Sequence, residues 1–600
     1  MTNEPGRPGS TSALRRALAA AACVAAAVTA QEPEVAAPFA ERVEVEVVNV
    51  DVVVADRDGR RVTDLTRDDF ELRVDGRPVA IEYFAAPPAS ARADTPAPAP
   101  PAPPGLEPEA VEPLPPPAET PAPGILVIYV DQSALERRVR RDTIAELREF
   151  VMARDADERV MVAAFENHLR LFAAPTGDDA VIEAAFAALQ ELPSHGSMIR
   201  AERNRLEHEV RAVGRASAMV RSASRADNAA AVGRRQESEA GRLQHEIEFW
   251  AEEELDRQRR SVRAMSQVVA ALGALPGRKT AVLATAGFNS EPARFLLRFL
   301  AQKVQVDVAA SSMSRVARLD ELGFRLSTDY EELVRAAQNA RVAFYTVAAR
   351  DAPPAQNSAE FASAGRDQAK PPPHDFAQVE QASSMTRLAA ATGGRLFVLD
   401  AGLDGRLEEV RDDVRAVYSL GFTTGPEAGA RDHEIEVRTR RDGLEVRHRE
   451  SFRRRTTEER QEEALMAAAT LGEVANGAGL VLDLGTPVPA EKGRKGMVVP
   501  IAVRIPLASV ALLPDGQLRH GRLTVRVAVH DADGKVLSGK DTPVSIVVPE
   551  AEIGRALAGV WVHRAEMRLT PGRHRVAVLV ADAGGGGFST VSGQVEIAGR

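Results

Sequence analysis

The sequence predicts a multidomain protein of the α/β plus β class. Its centre is predicted to be a doubly wound, Rossmann-like parallel sheet with a helical insertion, flanked by a small N-terminal β module and a C-terminal β-sandwich. Apolar strand-like runs alternate with helical patterns in the middle of the chain, Asp-Gly turns separate short apolar runs before it, and evenly spaced short runs follow it. Alternating strands and helices imply a parallel sheet, whereas Asp-Gly turns mark antiparallel hairpins.

Length and composition restrict the possible classes of function. A chain of 600 residues is too long for one hydrophobic core, so several domains are expected. Its hydrophobic content of 44% and charged content of 27% are typical of a globular protein. The net charge of −10 argues against nucleic acid as the main partner, because phosphate binding requires a basic surface.

The N-terminus has the pattern of an export signal, expected at residues 1–30. Arg15 and Arg16 precede an apolar run at 17–27 that is too short to span a membrane. The protein is therefore expected in the periplasm or at the cell surface, with no transmembrane span in the mature chain. A lipid anchor on Cys23, the single cysteine, is the alternative, although the leucine expected before such a cysteine is missing.

Residues 41–84 are predicted to form the N-terminal β module, because the turn Asp75-Gly76 separates two alternating apolar runs. Asp56 and Asp58 lie together in another turn, and a calcium loop is the alternative interpretation of this pair. Such a loop needs further oxygen ligands and a closing glutamate, which are missing, so a plain turn is preferred. Residues 85–123 are rich in proline and alanine and are predicted to be an extended linker.

Residues 124–455 are predicted to form the α/β domain. Apolar runs alternate with helical segments there, and a hairpin around Asp442-Gly443 is predicted to extend one edge of the sheet. The predicted strands are 125–130, 159–165, 280–285, 342–347, 395–399 and 417–422.

A long helical insertion interrupts this domain at about residues 199–265. Leu206 and Val210 recur at helical spacing, as do Leu243 and Ile247. Glycines within the segment favour a helical hairpin that projects from the domain over one continuous rod. Its apolar stripes either bury against each other or form an arm that binds a partner.

The last part of the chain is predicted to be a helical connector, residues 456–477, and an Ig-like β-sandwich, residues 478–600. Strand-like runs recur there at the spacing found in sandwiches, and Pro571-Gly572 marks a turn before one of them. The predicted strands are 498–505, 522–530, 544–548, 566–569, 575–581 and 590–597.

The apolar run at 125–130 ends in Asp131-Gln132-Ser133 and is followed by a helical pattern. Ligand sites in open α/β sheets lie at the carboxyl ends of strands, so these residues occupy a candidate site. The arrangement resembles the first loop of a von Willebrand factor A (vWA) domain. In that loop, Asp-x-Ser-x-Ser holds a divalent metal that a partner's carboxylate completes, and here Leu135 replaces the last serine.

Three segments together resemble the bacterial VWFA-related domain family best known from Acidobacteria. They are Asp51-Val-Val-Val-Ala-Asp-Arg-Asp-Gly59, the Asp131 strand with Pro276-Gly-Arg-Lys-Thr-Ala-Val-Leu283, and Leu388-Ala-Ala-Ala-Thr-Gly-Gly-Arg-Leu396 before Tyr418-Ser-Leu-Gly-Phe422. The resemblance implies an exported, non-enzymatic vWA-like module.

The resemblance also implies a degenerate metal-ion-dependent adhesion site. Asp131 and Ser133 are its expected ligands in the first loop, and Ser197 is the expected ligand in the second, with Thr176 as a weaker match. The third loop reads Ala286-Gly287, so the family's aspartate is absent. Such a set is expected to hold Mg²⁺, or Mn²⁺ or Ca²⁺, weakly, and an empty site is the alternative.

A protein partner that presents an acidic residue is expected at this site, in contact with Gln132, Leu135 and Gly196. No zinc-protease helix, nucleophile elbow or phosphate-binding loop is present, so the protein is expected not to be an enzyme. The predicted function is protein–protein or surface interaction. The alternatives are a metal-independent scaffold that binds through its helical insertion and β-sandwich, and a secreted hydrolase.

Overall fold

The structure is a computed structural model that describes residues 46–87, 124–132, 135–223, 226–304, 313–348, 374–398, 405–424, 429, 431–490, 496–531 and 534–598. The expected signal peptide, residues 1–30, and residues 88–123 of the expected linker lie outside these ranges. None of the helices in the described ranges combines the length and the apolar character needed to cross a membrane.

Four short strands form the first part of the described chain. Every second residue from Val48 to Val54 is buried, because a strand directs alternate side chains to opposite faces. Asp75 and Gly76 have φ angles of 50° and 75° and join the second strand to the third, so the predicted hairpin is confirmed. The strands are β1 (Glu46–Ala55), β2 (Phe70–Val74), β3 (Arg77–Val79) and β4 (Tyr83–Ala85).

The turn after β1 is held by one carboxylate. Asp56 Oδ1 accepts the backbone amides of Asp58 and Arg60, each at 2.9 Å. This is the hydrogen bonding of a side chain that stabilises its own turn, so the interpretation of the Asp56–Asp58 pair as a plain turn is confirmed.

A six-stranded sheet forms the α/β core. Its strands are β5 (Ile125–Asp131), β6 (Arg159–Phe165), β7 (Leu169–Thr176), β8 (Lys279–Thr285), β9 (Val342–Ala348) and β10 (Leu396–Val398). They lie in the order β7-β6-β5-β8-β9-β10, and all neighbours are parallel except β7, which is antiparallel to β6. Numbered along this part of the chain, the order is 3-2-1-4-5-6, which is that of a doubly wound fold. The parallel sheet is confirmed, whereas β7 is not among the predicted strands.

Helices cover both faces of this sheet. They are α1 (Arg137–Met152), α2 (Asp179–Gln190), α3 (Gly196–Ala223), α4 (Ala226–Gly273), α5 (Arg294–Val304), α6 (Met313–Asn339), α7 (His374–Ala391) and α8 (Arg406–Arg415). α1, α2 and α8 share a hydrophobic core with one face, and α4, α6 and α7 share a core with the other. Every residue of β5 and β8 is consequently buried.

The inserted helices α3 and α4 run antiparallel to each other. A guanidinium nitrogen of Arg205 in α3 lies 3.3 Å from the carboxylate of Glu246 in α4, and Arg242 in α4 lies 3.6 Å from Glu209 in α3. Residue numbers therefore rise along one helix as they fall along the other, as in the predicted helical hairpin. Residues 224 and 225, between the two helices, lie outside the described ranges.

Most of α4 extends beyond the sheet. The helix has 48 residues, which corresponds to a length of about 72 Å. Ser261 contacts Asp131 at the carboxyl end of β5, so residues 226–260 project past that edge. α6 runs beside them, with Arg318 3.2 Å from Glu252, and α5 also packs there. The apolar residues of α5 and α6 are buried in the same core as those of α3 and α4. The projecting element is therefore a bundle of four helices, α3, α4, α5 and α6 (the helical bundle), and not the expected hairpin alone.

Strands from both sides of the α/β sheet in the sequence form one β-sandwich (the composite sandwich). The later strands are β11 (Val417–Thr424), β12 (Asp432–Thr439), β13 (Glu445–His448) and β14 (Ser451–Arg453). One layer has the order β13-β1-β11-β4 and the other β14-β12-β2-β3, all antiparallel. The prediction that 417–422 and the hairpin around Asp442-Gly443 join the parallel sheet is wrong. The alternate valines of β1 form an apolar face that Tyr418 and Phe422 cover, and this pairing fixes the register.

The composite sandwich lies at the amino ends of the parallel strands. Asp51 of β1 is 2.9 Å from the guanidinium of Arg341, the residue directly before β9. Asp413 of α8 is fully buried and forms ion pairs with Arg61 and Arg447 from the sandwich. The two ends of the sheet are thus distinct: the sandwich covers the amino ends, and the helical bundle lies over the carboxyl ends.

The C-terminal residues form two antiparallel sheets around a shared core. The preceding helix α9 (Thr457–Thr470) begins with a capping box in which Thr456 Oγ1 accepts the Glu459 amide at 3.1 Å. α9 packs between α4 and the outer face of the second sheet. All six strands predicted in this region are present. The elements are β15 (Val481–Leu484), β16 (Val488–Pro489), β17 (Met497–Pro506), β18 (Leu513–Asp515), β19 (Leu518–His530), β20 (Val536–Ser538), β21 (Thr542–Pro549), α10 (Ile553–Leu557), β22 (Val560–Leu569), β23 (Gly572–Asp582) and β24 (Phe588–Ile597).

Candidate functional site

The candidate site is the crevice where the strand order of the parallel sheet reverses. In a doubly wound sheet, ligands bind at the carboxyl ends of the strands that flank this reversal. Here these strands are β5, which ends at Asp131, and β8, which ends at Thr285. The site therefore consists of the loops after these two residues and of the helix that lies over them, α4.

Asp131 is buried in this crevice, with 2% of its surface exposed. Its Oδ2 accepts a hydrogen bond from Ser261 Oγ of α4 at 2.9 Å. Ser133, the second expected metal ligand, lies outside the described residues. The described carboxylate of the expected metal site is thus already bonded to a helix of the same chain.

Gln132 is completely buried and connects the loop after β5 to two helices. Arg140 of α1 donates from Nη1 to Gln132 Oε1 at 2.8 Å and from Nη2 to the carbonyl oxygen of Gln190 at 2.9 Å. Burial, together with the nearby charge of Arg137, lowers the pKa of Arg140. The Gln132 side chain holds the loop in place and has no surface to offer a partner.

Leu135 and Gly196 are also buried, whereas Ser197 is exposed at the start of α3. Leu135 packs in the core beneath α1 and α2, and its carbonyl oxygen accepts a hydrogen bond from Ser194 Oγ at 2.5 Å. The structure corrects the prediction that Gln132, Leu135 and Gly196 contact a partner, because all three are enclosed. Among the described residues of the predicted site, Ser197 alone is exposed.

α4 fills the crevice with a row of polar side chains. Glu254, Arg257, Gln258 and Ser261 are spaced three or four residues apart and therefore share one helix face. Gln258 Oε1 accepts the backbone amide of Asn289, in the loop after β8, at 2.7 Å, and its Nε2 donates to Glu254 at 2.6 Å. Because Ser261 bonds to Asp131, this row ties both loops of the crevice to one helix.

Arg257 brings a positive charge close to Asp131. Burial alone lowers the pKa of Arg257, but its hydrogen-bonded partner Glu254 and the charge of Asp131 outweigh that effect and raise the pKa. Burial likewise raises the pKa of Glu254, but Arg257, Gln258 and Arg203 outweigh it, so the pKa lies below its ordinary value. Both groups are therefore charged at neutral pH, and a guanidinium supplies the positive charge that a cation would bring to this carboxylate.

The remaining loops supply few oxygen ligands. Ala286 and Gly287 follow β8; a Cβ on Gly287 would lie 2.5 Å from the Gln381 carbonyl oxygen, so close packing requires glycine there. Thr176 pairs with Val160 at the amino end of β6, so it lies at the end of the sheet opposite to the crevice. In the described ranges no three His, Cys, Asp or Glu side chains converge. Hard cations take about six oxygen ligands, and the described residues do not fit such an ion.

The outer surface of the helical bundle carries large apolar side chains. Phe324 of α6, Met198 of α3 and Phe249 of α4 are 73%, 69% and 60% exposed. Val560 of the C-terminal sheets follows at 56%, so within the described part of the chain the three most exposed large apolar residues all belong to the bundle. Aromatic and methionine side chains on a surface are enriched in protein–protein interfaces.

The apolar positions of this segment predict its helices, but they do not predict the polar row of α4. The signal exists in the sequence: polar residues recur at 254, 257, 258 and 261, with helical spacing, and lead directly into the apolar residues Val262 and Met265. A polar face that continues an apolar face along one helix indicates contact with a buried polar site.

Comparisons with known proteins match no family model and no curated protein. Among solved structures, a von Willebrand factor type A protein from Catenulispora acidiphila aligns with 11% identity and a TM-score of 0.20 over 80% of this chain and 66% of that chain. This chain thus spans just under two thirds of that protein. A target of the Northeast Structural Genomics Consortium aligns with 10% identity and a TM-score of 0.15 over 21% of this chain and 88% of that chain.

Proposed function

We propose that this is an exported, non-enzymatic, vWA-like protein that binds a protein partner through its helical bundle, without a metal ion in the crevice. The order of the parallel strands, the position of Asp131 and the sequence segments that resemble vWA-related proteins support the vWA-like assignment. The basic and apolar residues within 1–30 support export to the periplasm or the cell surface.

The observation that carries the proposal is the position of α4. A partner that used the crevice would have to displace Ser261 from Asp131 and Gln258 from the loop after β8. Each displacement leaves a buried polar group without its hydrogen bond, at a cost of about 1–3 kcal/mol. The accessible apolar surface lies on the same helices, outside the crevice.

The exposed aromatic groups are large enough to anchor a partner. Full burial of a phenylalanine side chain contributes about 1.5–3 kcal/mol, and such residues are typical of the few that dominate an interface. Phe249 and Phe324 come from two helices that pack against each other, α4 and α6. The proposed role is that of a scaffold or adhesive module.

The test is capture of partners from the cell-envelope fraction of the source organism with the full chain as bait. The altered protein carries Phe249→Ser and Phe324→Ser, and the matched control carries Val560→Ser at a similarly exposed position of the C-terminal sheets. We expect a defined partner to be captured by the unaltered and control proteins and lost from the altered one.

Two results would contradict the proposal. Equal capture by all three proteins would place the binding surface elsewhere. Capture that requires Mg²⁺ and disappears with Asp131→Asn would assign the interaction to the crevice instead of the bundle.

A further inference from the structure

A groove of about 680 Å³ lies between three helices of the bundle. Its floor is formed by α4 and its two walls by α5 and α6. Along each wall the lining residues recur every three or four positions, which is the pattern of one helix face. They are Arg294, Leu297, Arg298 and Ala301 on α5, and Leu319, Asp320, Gly323, Phe324 and Ser327 on α6.

We propose that this groove is the docking site for an amphipathic helix of the partner protein, with apolar residues spaced three and four apart. This inference rests on the proposed function and names its site and the chemistry of its partner. A helix laid into an apolar groove is a recurring mode of recognition, in which side chains at i, i+3, i+4 and i+7 enter the groove.

Apolar atoms provide most of the groove's lining surface. Ala251 and Leu255 of α4 are buried on the floor, and Leu319 is buried on the α6 wall. A Cβ on Gly323 would lie 2.4 Å from the Ser290 carbonyl oxygen, so the α6 wall is held directly against the loop before α5. Phe324 stands at the rim and is 73% exposed. The groove therefore has a fixed base and one large apolar side chain available to close over an occupant.

Two opposite charges distinguish a helix from a simple apolar ligand. Arg294 forms an ion pair with Glu291, but Arg298 on α5 and Asp320 on α6 have no ion-pair partner among the described residues. Both are exposed and line the groove. A fatty acid or another anion would satisfy Arg298 and leave Asp320 facing it. A helix satisfies both, with an acidic residue on the side of Arg298 and a basic residue on the side of Asp320.

The dimensions agree with a short helical contact. The lining residues of α5 extend from 294 to 301 and those of α6 from 319 to 327, about 10–12 Å along each helix. This is a little more than two turns, and it admits three or four apolar side chains from one face of a docked helix.

The experiment selects binders for the full-length protein from a displayed library of helical peptides whose one face is randomised. We expect the selected peptides to share apolar residues at i, i+3 or i+4 and i+7, flanked by one acidic and one basic position. Selection on the protein with Arg298→Glu and Asp320→Arg should give the same apolar spacing with the two charges exchanged. Ala301→Trp, which fills the groove from a half-buried position, should weaken the selected peptides by about tenfold or more.

Arg260→Glu is the matched control, because it makes the same charge change on an exposed part of α4 that does not line the groove. It should leave binding of the selected peptides unchanged. Selected peptides without the apolar spacing, or peptides that bind the Ala301→Trp protein undiminished, overturn the groove as the site. If the Ala301→Trp protein still captures the envelope partner, the groove is wrong and the proposed function stands. If the unaltered protein captures no partner from the envelope fraction, both the groove and the proposed function are wrong.

Discussion

A buried carboxylate is stable only when other groups replace its lost hydration. Asp131 receives a hydrogen bond from Ser261 and lies near the guanidinium of Arg257. These two residues belong to one helix face, so a single element satisfies a residue that the family resemblance assigns to a metal. The residues of the crevice thereby hold α4 against the carboxyl end of the sheet.

Ser261→Ala should lower the free energy of unfolding by about 2 kcal/mol, because it removes a hydrogen bond to a buried charged group. Ser266→Ala on the same helix is the control, since Ser266 Oγ donates only to the Val262 carbonyl oxygen. Ser266→Ala should lower the free energy of unfolding by clearly less than Ser261→Ala does. Urea unfolding of the three proteins measures both effects, and equal destabilisation by the two substitutions would show that the Asp131 contact has no special weight.

Whether the site around Asp131 binds a divalent metal ion can be measured directly. Titration calorimetry of Mg²⁺ and Mn²⁺ into the whole chain should show no saturable binding that depends on Asp131, because the described loops supply too few oxygen ligands. The comparison is with Asp131→Asn. Saturable heat that this substitution removes would establish a working site, with Ser133 and water as its further ligands.

Lys279, the first residue of β8, is a buried amine at the junction with the composite sandwich. It is 3% exposed, and its Nζ donates to the Ala340 carbonyl oxygen at 3.2 Å. Burial, together with the charges of Arg341 and Arg455, lowers its pKa to about 7 against the opposing effect of two nearby carboxylates. The amine therefore loses its proton near neutral pH in the folded protein and only near 10.5 in the unfolded chain.

Between these two values the unfolded chain binds more protons, so the free energy of unfolding should rise with pH from about 7 towards 10. Lys279→Met should flatten this rise by up to about 1.4 kcal/mol per pH unit. Lys535→Met, at an exposed position, is the control and should leave the slope unchanged. Urea unfolding between about pH 6 and about pH 9 measures the slopes, and an unchanged slope in the Lys279→Met protein would contradict the assigned pKa.

At the scale of elements, the sequence predicts which segments form strands and helices better than it predicts which of these elements pair with each other. The fully apolar runs of β5 and β8 indicate a buried parallel sheet because only such strands are covered on both faces. β7 is missed because its burial is irregular and its pairing with β6 includes register shifts. The partners of β1 could not be predicted, because alternation shows that a strand has one apolar face and does not show which distant strand will cover it.

The same distinction between local patterns and long-range contacts applies to the candidate site. The position of Asp131 at a strand end is readable from the sequence, since it depends on a local pattern. The burial of Gln132 and Leu135 is not, because it results from α1 and α2 packing against the loop. Long-range contacts of this kind connect residues far apart in the chain and leave no local signal.

β1 is the element whose removal should matter most. It pairs with β11 on one side and with β13 on the other, and a chain that begins at residue 124 loses β1 together with β2, β3 and β4, which is two strands from each layer of the composite sandwich. We expect such a chain to unfold at a markedly lower temperature and to bind a hydrophobic dye through the uncovered core. Residues 41–87, added as a separate chain, should restore stability.

The control for this comparison is a deletion of residues 96–104, inside the proline- and alanine-rich stretch. It shortens the chain without removing a described strand and should leave the unfolding temperature unchanged. If the chain that begins at residue 124 is as stable as the full chain, the strands β1 to β4 contribute little to stability.

At the scale of the molecule, the α/β sheet is covered by elements that come from distant parts of the chain. The composite sandwich lies at its amino ends, the helical bundle projects from its carboxyl ends, and α9 connects α4 to the C-terminal sheets. The residues described here belong to one compact unit, Val45–Arg600. The exposed bundle therefore belongs to the same compact unit as the α/β sheet and the composite sandwich.

The pairing of β1 and β4 with β11 has a further consequence for proteolysis. Residues 88–123 begin after β4 and end just before β5, and both of these strands are anchored in the same structure. A protease that cuts within this stretch therefore releases no fragment, because hydrogen bonds between strands and the shared sandwich core still join the two pieces. A protein cut in this way would persist as a two-chain molecule with its bundle unchanged.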